Sequence, residues 1–212
     1  MPIIETITSS FSAPGARVLL APWPAVEEVA SRAASVGELD AALDAVDALG
    51  RHAAITKLEL LTAIEVSVSG EAALAWLSAD ERVDLVITSL PPDHGADGSA
   101  ETLAITASRA LAFGGILAVY THSDWSSGRL IDPSGLMIAA AQNADLLYLQ
   151  HIVTLHTPIR NCRLQPPAAT APTDLVPGGR ELAAPMTHAR AHGDVLVFAQ
   201  AHADAAQPED LR

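Results

Sequence analysis

The sequence lacks several features that would place it in a large protein class. It has one cysteine, Cys162, so no internal disulfide can form, and cysteine usage gives no support for an oxidising compartment. No stretch approaches the roughly 18 uninterrupted apolar residues of a membrane-spanning helix. The first residues also lack a basic start followed by an apolar run, as in a secretory signal. We therefore expect a cytoplasmic protein without a membrane segment.

Positive charge is scarce as well. Twelve Lys and Arg face 25 Asp and Glu, which gives a formal net charge of −13, and Lys57 is the single lysine. A protein that binds nucleic acid normally has a basic face, because neutralising phosphates supplies most of its affinity. The charge balance therefore argues against DNA or RNA as a partner.

Apolar residues, in contrast, make up 50% of the 212 residues. A chain of this size and hydrophobicity can bury most of its apolar surface in one core without a disulfide or a metal. We expect an irregular N-terminal lead-in over 1–15, one domain over 16–200 and a polar tail over 201–212. Within the domain, the Pro-rich segment 165–191 is expected to be a poorly ordered loop.

Strand-like and helix-like patterns alternate along the domain. Apolar β-rich runs predict strands, and 3.6-residue periodicity predicts helices, one of which should end at Gly37. The predicted strands cover 16–21, 63–68, 83–89, 116–120, 146–157 and 192–198; the predicted helices cover 24–36, 38–49, 71–77, 99–112 and 133–144. This alternation predicts an α/β fold, a mainly parallel sheet with helices on both faces. Its last two long strands should form an antiparallel edge pair.

Ligands of such sheets bind beyond the carboxyl ends of the strands, so the loops at 20–27, 67–71 and 88–98 are the candidate sites. Four segments of the sequence carry a family resemblance, the last three of them strand-like: 12–19, 83–92, 113–119 and 192–198. Together they resemble the S-adenosylmethionine-dependent DNA methylases that modify exocyclic amines of adenine or cytosine. The resemblance covers about residues 11–200. It implies a Rossmann-like class I methyltransferase with a seven-stranded sheet, S-adenosylmethionine as cofactor, and no metal.

The loop after the first strand departs from the family pattern. Leu20 stands in the family's Asp place, and Pro24 and Val26 stand where two glycines allow the cofactor to approach the backbone. By the resemblance, Leu20, Ala21 and Pro24 would line the methionine end of the cofactor, and Glu71 would hold the adenosine end. The alternative is an ordinary helix that starts at Pro24 and a helix-start carboxylate at Glu71.

The loop at 89–94 departs from the pattern too. In the family a polar residue and Pro-Pro hold the target amine, and an aromatic residue stacks on the flipped base. Here Leu90 occupies the polar position and Asp93 the aromatic one, unless Ser89 takes the polar role and Leu90 is an insertion. In an active enzyme, Ser89, Pro91 and Pro92 would present carbonyls to the target amine. His94 is then the candidate for stacking, and a solvated loop is the alternative for Asp93 and His94.

Other candidates are weaker on the sequence alone. His188 and His192 lie four residues apart, but no third ligand has the spacing of a zinc site, so no metal is expected. His151 and His156 should face opposite sides of one strand and make no pair. Cys162 lacks a base, and Trp125 is interpreted as a surface side chain.

Two hypotheses remain. The lost glycines, the lost aromatic residue and the charge favour a methyltransferase-like protein without catalysis, or with strongly impaired catalysis, that has a structural or regulatory role. A protein partner or a homodimer would then be expected. The alternative is an active methyltransferase on an exocyclic amine of DNA or of another substrate, with DNA disfavoured by the charge. A small-molecule binder that reuses the pocket is a third hypothesis.

Overall fold

The structure of the chain is a computed structural model, and it describes residues 2–21, 32–55, 82–94, 98–125, 128–164 and 191–201. Four helices lie in these ranges: α1 (Pro2–Phe11), α2 (Arg32–Ala48), α3 (Ser99–Ala110) and α4 (Ser134–Asn143). None of the helices in this part of the chain is long and apolar enough to cross a membrane.

Eight strands accompany these helices. Six of them form the main sheet and two form a small hairpin that follows β5. Their bounds are β1 (Arg17–Ala21), β2 (His52–Ile55), β3 (Val83–Ser89), β4 (Leu111–Thr121), β5 (Leu146–Leu155), β6 (Ile159–Arg160), β7 (Arg163–Leu164) and β8 (His192–Gln200).

The main sheet is mixed and has the order β2-β1-β3-β4-β8-β5. The three pairings among β2, β1, β3 and β4 are parallel, whereas β8 runs antiparallel to both β4 and β5. The prediction of an antiparallel pair at the C-terminal end is confirmed. The prediction of a mainly parallel seven-stranded sheet is wrong for the described residues, because the sheet has six strands and two of its five pairings are antiparallel. The predicted strand at 63–68 lies outside the described residues.

Helices cover both faces of the sheet, as the sequence predicts. On one face, apolar residues of α3 and α4 pack against alternate residues of β4 and β8, such as Leu117 and Phe198. On the other face, α1 and α2 pack against the intervening residues, such as Ala118 and Val197. The central strands are therefore buried on both faces, which explains why β3 and β8 are nearly continuous apolar runs.

The N-terminal segment is a helix, so the prediction of an irregular lead-in over 1–15 is wrong. Ile3, Ile4, Ile7 and Phe11 recur at helical spacing, and Ile7 is buried against the sheet. Burial of this face stabilises a helix despite its β-branched isoleucines and threonines, which have a weak intrinsic preference for it. Only the turn at Pro14 and Gly15 is irregular, and Gly15 there has a φ of 81°.

Two other local predictions are wrong. Gly37 is expected to end a helix, but it lies inside α2, which begins at Arg32 and ends at Ala48. The four-residue strand β2 is not predicted, because its sequence His-Ala-Ala-Ile has little β character; among the described strands it pairs with β1. Pairing with β1 decides the conformation of β2. The loop expected over 165–191 and the tail over 201–212 lie almost entirely outside the described residues.

Strand β5 contains a bulge between Tyr148 and Gln150, where the register with β8 shifts by one residue. An extra residue reverses the alternation of side chains along the strand. Leu147 therefore faces the α1 and α2 side of the sheet, whereas His151, Val153 and Leu155 face the α3 and α4 side. A strict alternation would have placed all four on one side, as the sequence pattern suggests.

Candidate functional site at the carboxyl edge of the sheet

The carboxyl ends of β1, β3 and β4 meet at one edge of the sheet. Ala21 lies beside Thr88, and Ser89 lies beside Tyr120. The chain passes from β1 to β2 on one side and to β3 on the other, so the gap between β1 and β3 is the switch point of the strand order. Ligands of open α/β sheets bind at such a point. The structure thus places Leu20 and Ala21 beside β3, the strand that ends in Ser89.

The side chains of Leu20 and Ala21 are nevertheless part of the core. Both are buried, and Leu20 packs with Val18 and Ile87 on the α1 and α2 face. Their contribution to a cofactor site is therefore limited to the backbone at the end of the strand. Pro24 and Glu71, the other two predicted cofactor residues, lie outside the described residues.

Leu90 is the residue that most clearly separates this site from the pattern of the family. It is 1% exposed and belongs to the core on the α3 and α4 face. Its N–H donates a hydrogen bond to the carbonyl of Tyr120 at 2.9 Å. Its carbonyl accepts one from the buried Thr121 hydroxyl at 2.7 Å. Side chain and backbone of Leu90 are thus both used to attach the loop to β4.

The residues around Leu90 differ in their exposure to solvent. Ser89 and Pro91 are half-buried, and Pro92 is buried at the start of a short 3₁₀ turn, Pro92–His94. Asp93 is exposed. The backbone of His94 ends the turn, and its side chain lies outside the described part. A negatively charged carboxylate at Asp93 does not offer the stacking surface that a flipped base requires.

A second polar group lies at the same edge, one strand further along, and the sequence analysis did not predict it as a site. Asp194, near the start of β8, has a side chain only 9% exposed. Its Oδ1 lies 2.8 Å from Nε2 of His151 on β5, and its Oδ2 lies 4.0 Å from Nε2 of His192. We call these three residues the Asp194 cluster. A buried carboxylate needs such partners, because burial without hydrogen bonds is costly.

Tyr120 and His156 form a further pair on the opposite face of the sheet. The Tyr120 hydroxyl lies 2.9 Å from His156 Nε2, and the two rings meet edge to face with centroids 6.4 Å apart. The tyrosine ring lies directly over Gly193, where an added Cβ would come within 2.3 Å of the hydroxyl oxygen. The expectation that His151 and His156 make no pair is confirmed, since each has a different partner.

The sequence does contain a signal for the Asp194 cluster. Asp194 is the one acidic residue of β8 and directly precedes its apolar run, and a lone carboxylate in a buried strand needs a partner. The partner could not be identified from the sequence, because His151 is 43 residues away and becomes its neighbour through the pairing of β5 with β8.

A separate cleft of about 360 Å³ lies at the opposite, amino end of the strands, and Arg17, Asp47, His52 and Ala53 line it. The N–H of Arg17 donates a hydrogen bond to Asp84 at 2.8 Å, and the N–H of Ala53 donates one to Asp47 at 3.3 Å. Both carboxylates therefore hold strand ends in place. This cleft is remote from the edge at which α/β sheets bind their ligands.

The structure adds no support for a functional role of the remaining sequence candidates, which are a metal site, Cys162 and Trp125. Within the described ranges, no three His, Cys, Asp or Glu side chains are placed to hold a metal ion. Cys162 is exposed in the turn between β6 and β7, where it has a φ of 59°. Trp125 is 52% exposed beside the Asp124–Ile131 bridge, in agreement with its interpretation as a surface side chain.

Comparison with known proteins identifies structural neighbours only. No protein-family model matches the sequence, and no curated protein does. A protein of Thermoplasma acidophilum with a provisional assignment as a methyltransferase has a TM-score of 0.45 and 10% identity, over 88% of this chain and 69% of its own. A TehB-like SAM-dependent methyltransferase from Corynebacterium glutamicum has a TM-score of 0.40 and 13% identity, over 92% and 85%.

A third neighbour is a provisionally assigned DNA modification methylase from Thermus thermophilus, with a TM-score of 0.33 and 10% identity. The match covers 97% of this chain, which spans about half (53%) of that protein. At identities of 10–13% and TM-scores below 0.5, these likenesses establish no activity for this chain. The neighbours are methyltransferases, but the function of this chain has to be inferred from its own residues.

Proposed function

We propose that this chain is a methyltransferase-like protein whose catalysis is absent or strongly impaired, with a structural or regulatory role. The proposal rests on the sequence resemblance to S-adenosylmethionine-dependent DNA methylases. The layered sheet with its antiparallel C-terminal pair agrees with it.

The observation that carries the proposal is the state of Leu90. An amine-modifying enzyme of this type would use a polar side chain at this position to hold its target. Here the position is an apolar core residue whose N–H and carbonyl are both bonded to the end of β4. Such a loop adds to the stability of the sheet and offers no side-chain hydrogen bond to a substrate at that position.

Charge supports the same conclusion. The formal net charge is −13, and Asp93 adds an exposed carboxylate at the mouth of the would-be target pocket. Both repel a polyanionic substrate, whose binding depends on phosphate neutralisation. DNA is therefore the less favoured substrate even if some transfer activity remains.

An active methyltransferase is the second candidate, and one observation favours it. The switch point between β1 and β3 is intact, with Ala21 beside Thr88 and the half-buried Ser89 at the adjoining strand end. This is the place where an open α/β sheet binds a ligand. Under this alternative, Ser89, Pro91 and Pro92 would position the amine, and orientation alone would supply most of the rate.

Two measurements on one preparation test the proposal. The first is thermal unfolding with and without S-adenosylhomocysteine, since a ligand at 100 times its dissociation constant stabilises a protein by about 2.7 kcal/mol. The second is transfer of labelled methyl groups from S-adenosylmethionine to duplex and single-stranded DNA. We expect no transfer to either DNA.

The combination separates the hypotheses. Stabilisation without transfer would show a retained cofactor pocket and no activity on DNA, which agrees with the proposal. Transfer at a rate that Ser89→Ala or Pro92→Ala abolishes would refute it in favour of the active enzyme. A third measurement is DNA binding as a function of salt concentration. Binding that persists at moderate salt would contradict the conclusion that the net charge disfavours DNA as a substrate.

A further inference from the structure

Strand β5 forms one edge of the sheet and is unusual in composition. Within the described residues, no strand pairs with its outer side. Four of its aliphatic side chains are exposed by about half: Leu147 (55%), Leu149 (46%), Val153 (55%) and Leu155 (46%). The adjoining hairpin adds the exposed Ile159 and Leu164. A long apolar edge of this kind is a template for pairing with another strand.

This edge is also free of charge in a strongly charged chain. No Asp, Glu, Lys or Arg occurs from Leu146 to Ile159, although the whole chain carries −13. Exposed edge strands are usually protected by charged residues or proline, and β5 has neither. Its bulge at Tyr148 and Gln150 disturbs the first half, which leaves Gln150–Leu155 as the regular half.

The geometry points to a second copy of this chain as the occupant: we propose a two-fold dimer in which the regular halves of two β5 strands pair antiparallel. Residues that lie directly opposite each other in antiparallel strands have their side chains on the same face of the sheet. One residue of β5 must therefore lie opposite its own copy, with the two-fold axis midway between the two. Val153 is the best candidate, because it is exposed while Ile152 is half-buried. Each His151 then lies opposite Leu155 of the second copy.

Charge complementarity supports this arrangement. The first cations after β5 are the exposed Arg160 and Arg163 of the β6–β7 hairpin, and the last anion before β5 is the exposed Asp145. Antiparallel pairing about Val153 brings the hairpin of one copy toward Asp145 of the second copy. Because β5 itself has no charged residue, its pairing with a second β5 brings no like charges together, although each chain has a net charge of −13.

Coverage of the edge by the chain's own segment 165–190 is less consistent with the sequence. That segment contains prolines at 166, 167, 172, 177 and 185, and its longest stretch without proline, 178–184, begins with Gly-Gly. Proline cannot donate to a strand ladder, and glycine weakens it. The segment is therefore poorly suited to pair along the length of β5. The dimer does not depend on whether the protein transfers methyl groups.

The first test is the mass of the full chain in solution by analytical ultracentrifugation. We expect twice the 22.0 kDa of the monomer. Val153→Arg places two like charges at the two-fold axis and should weaken the dimer by about 100-fold or more. Ile105→Arg is the matched control, because Ile105 is 44% exposed on α3, whose contacts are mainly with α4 and β4, and this variant should remain a dimer. Circular dichroism confirms that both variants are folded.

The second test locates the axis by disulfide formation. In a Cys162→Ser background, Val153→Cys should oxidise to a covalent dimer, because directly opposed strand residues lie within disulfide distance. Leu147→Cys, equally exposed on the same strand, should not. Covalent dimers from Leu147→Cys but not from Val153→Cys would contradict the proposed register.

Three outcomes would overturn the proposal as a whole. The chain could be monomeric at every concentration at which it stays soluble. A dimer that Val153→Arg leaves intact would use another surface. A monomer whose β5 amides resist hydrogen exchange on both edges would show that another part of the same chain covers the strand.

Discussion

Two strand ends at the carboxyl edge of the sheet differ in what they bury. After the end of β3, Leu90 occupies a position that is polar in the resembled family. Its backbone N–H and carbonyl form hydrogen bonds with Tyr120 and Thr121 of β4. At the start of β8, a position inside an apolar strand is filled by Asp194, with His151 and His192 beside it. The predicted site is thus core-like, and the polar site is one that was not predicted.

The difference shows that location in the fold does not by itself specify chemistry. The end of β3 lies beside the switch point, where a ligand would bind, yet its side chains serve packing. The start of β8 lies at the antiparallel border of the sheet, yet it carries a buried carboxylate, and three histidines from β8, β5 and the residue after β5 lie near it on two faces. Four substitutions test the comparison.

The largest effect is expected from Leu90→Ala. Leu90 is fully buried, so the substitution removes apolar contacts and leaves a cavity that costs about 2–5 kcal/mol of unfolding free energy. Chemical denaturation measures the loss. Leu136→Ala, at an exposed position, is the control and should change stability little. A loss below that of the control would mean that Leu90 is not a core residue, and the contrast with β8 would fail.

Gly193→Ala should be next, because the new Cβ would meet the Tyr120 ring at 2.3–2.7 Å. Overpacking of this kind costs about 1–3 kcal/mol. In a Tyr120→Ala background the same substitution should cost much less, and a double-mutant cycle by denaturant unfolding gives the coupling. Absence of coupling would show that the ring moves aside freely, and that the β8 end is less tightly packed than the β3 end.

Thr121→Val removes the buried hydroxyl that donates to the Leu90 carbonyl. Loss of a buried hydrogen bond that leaves its partner unsatisfied costs about 1–3 kcal/mol, and we expect the lower half of this range because the shape of the side chain is kept. Thr102→Val is the comparison, since its hydroxyl bonds the Gly98 carbonyl in an exposed position. Equal losses at the two sites would contradict the view that the loop is held from β4.

The last of the four substitutions, Asp194→Asn, is compared with His192→Ala, and these two should have the smallest effects. The amide keeps the shape and one hydrogen bond to His151 but loses the charge, so we expect a loss of about 1 kcal/mol, within the range for hydrogen bonds. His192→Ala should cost less, because its nitrogen lies 4.0 Å from the carboxylate, beyond hydrogen-bond distance. Thermal melts rank the two variants. The reverse order would place His192, not His151, as the main partner of Asp194.

The sequence predicted the strongly patterned elements well. The apolar runs behind β1, β3 and β8 and the periodicity of α3 and α4 are local signals, and the structure places these elements within a few residues of their predicted ranges. It did not predict α1, whose β-branched residues have low helix propensity, or β2, whose alanines have low strand propensity. Packing against the sheet and pairing with β1 decide those two segments.

The candidate site was predicted in position but not in character. Leu20 and Ala21 on β1 lie beside β3, the strand that ends in Ser89, because β1 and β3 pair in parallel. Whether Leu90 points into the core could not be predicted, since one extra residue in a loop moves every later side chain. Likewise, the bulge in β5 separates Leu147 from Val153, although the alternation of the sequence places them together.

By itself, then, the sequence determined an α/β chain with buried central strands and a net charge of −13, because composition and periodicity act locally. Only the tertiary structure decided that Leu90 is bonded to β4, that Asp194 meets His151 and that β5 presents an uncharged edge. These contacts join residues 31 and 43 positions apart, and their existence depends on strand order and register. Local preferences do not specify order or register, whereas the burial of two faces of one sheet does.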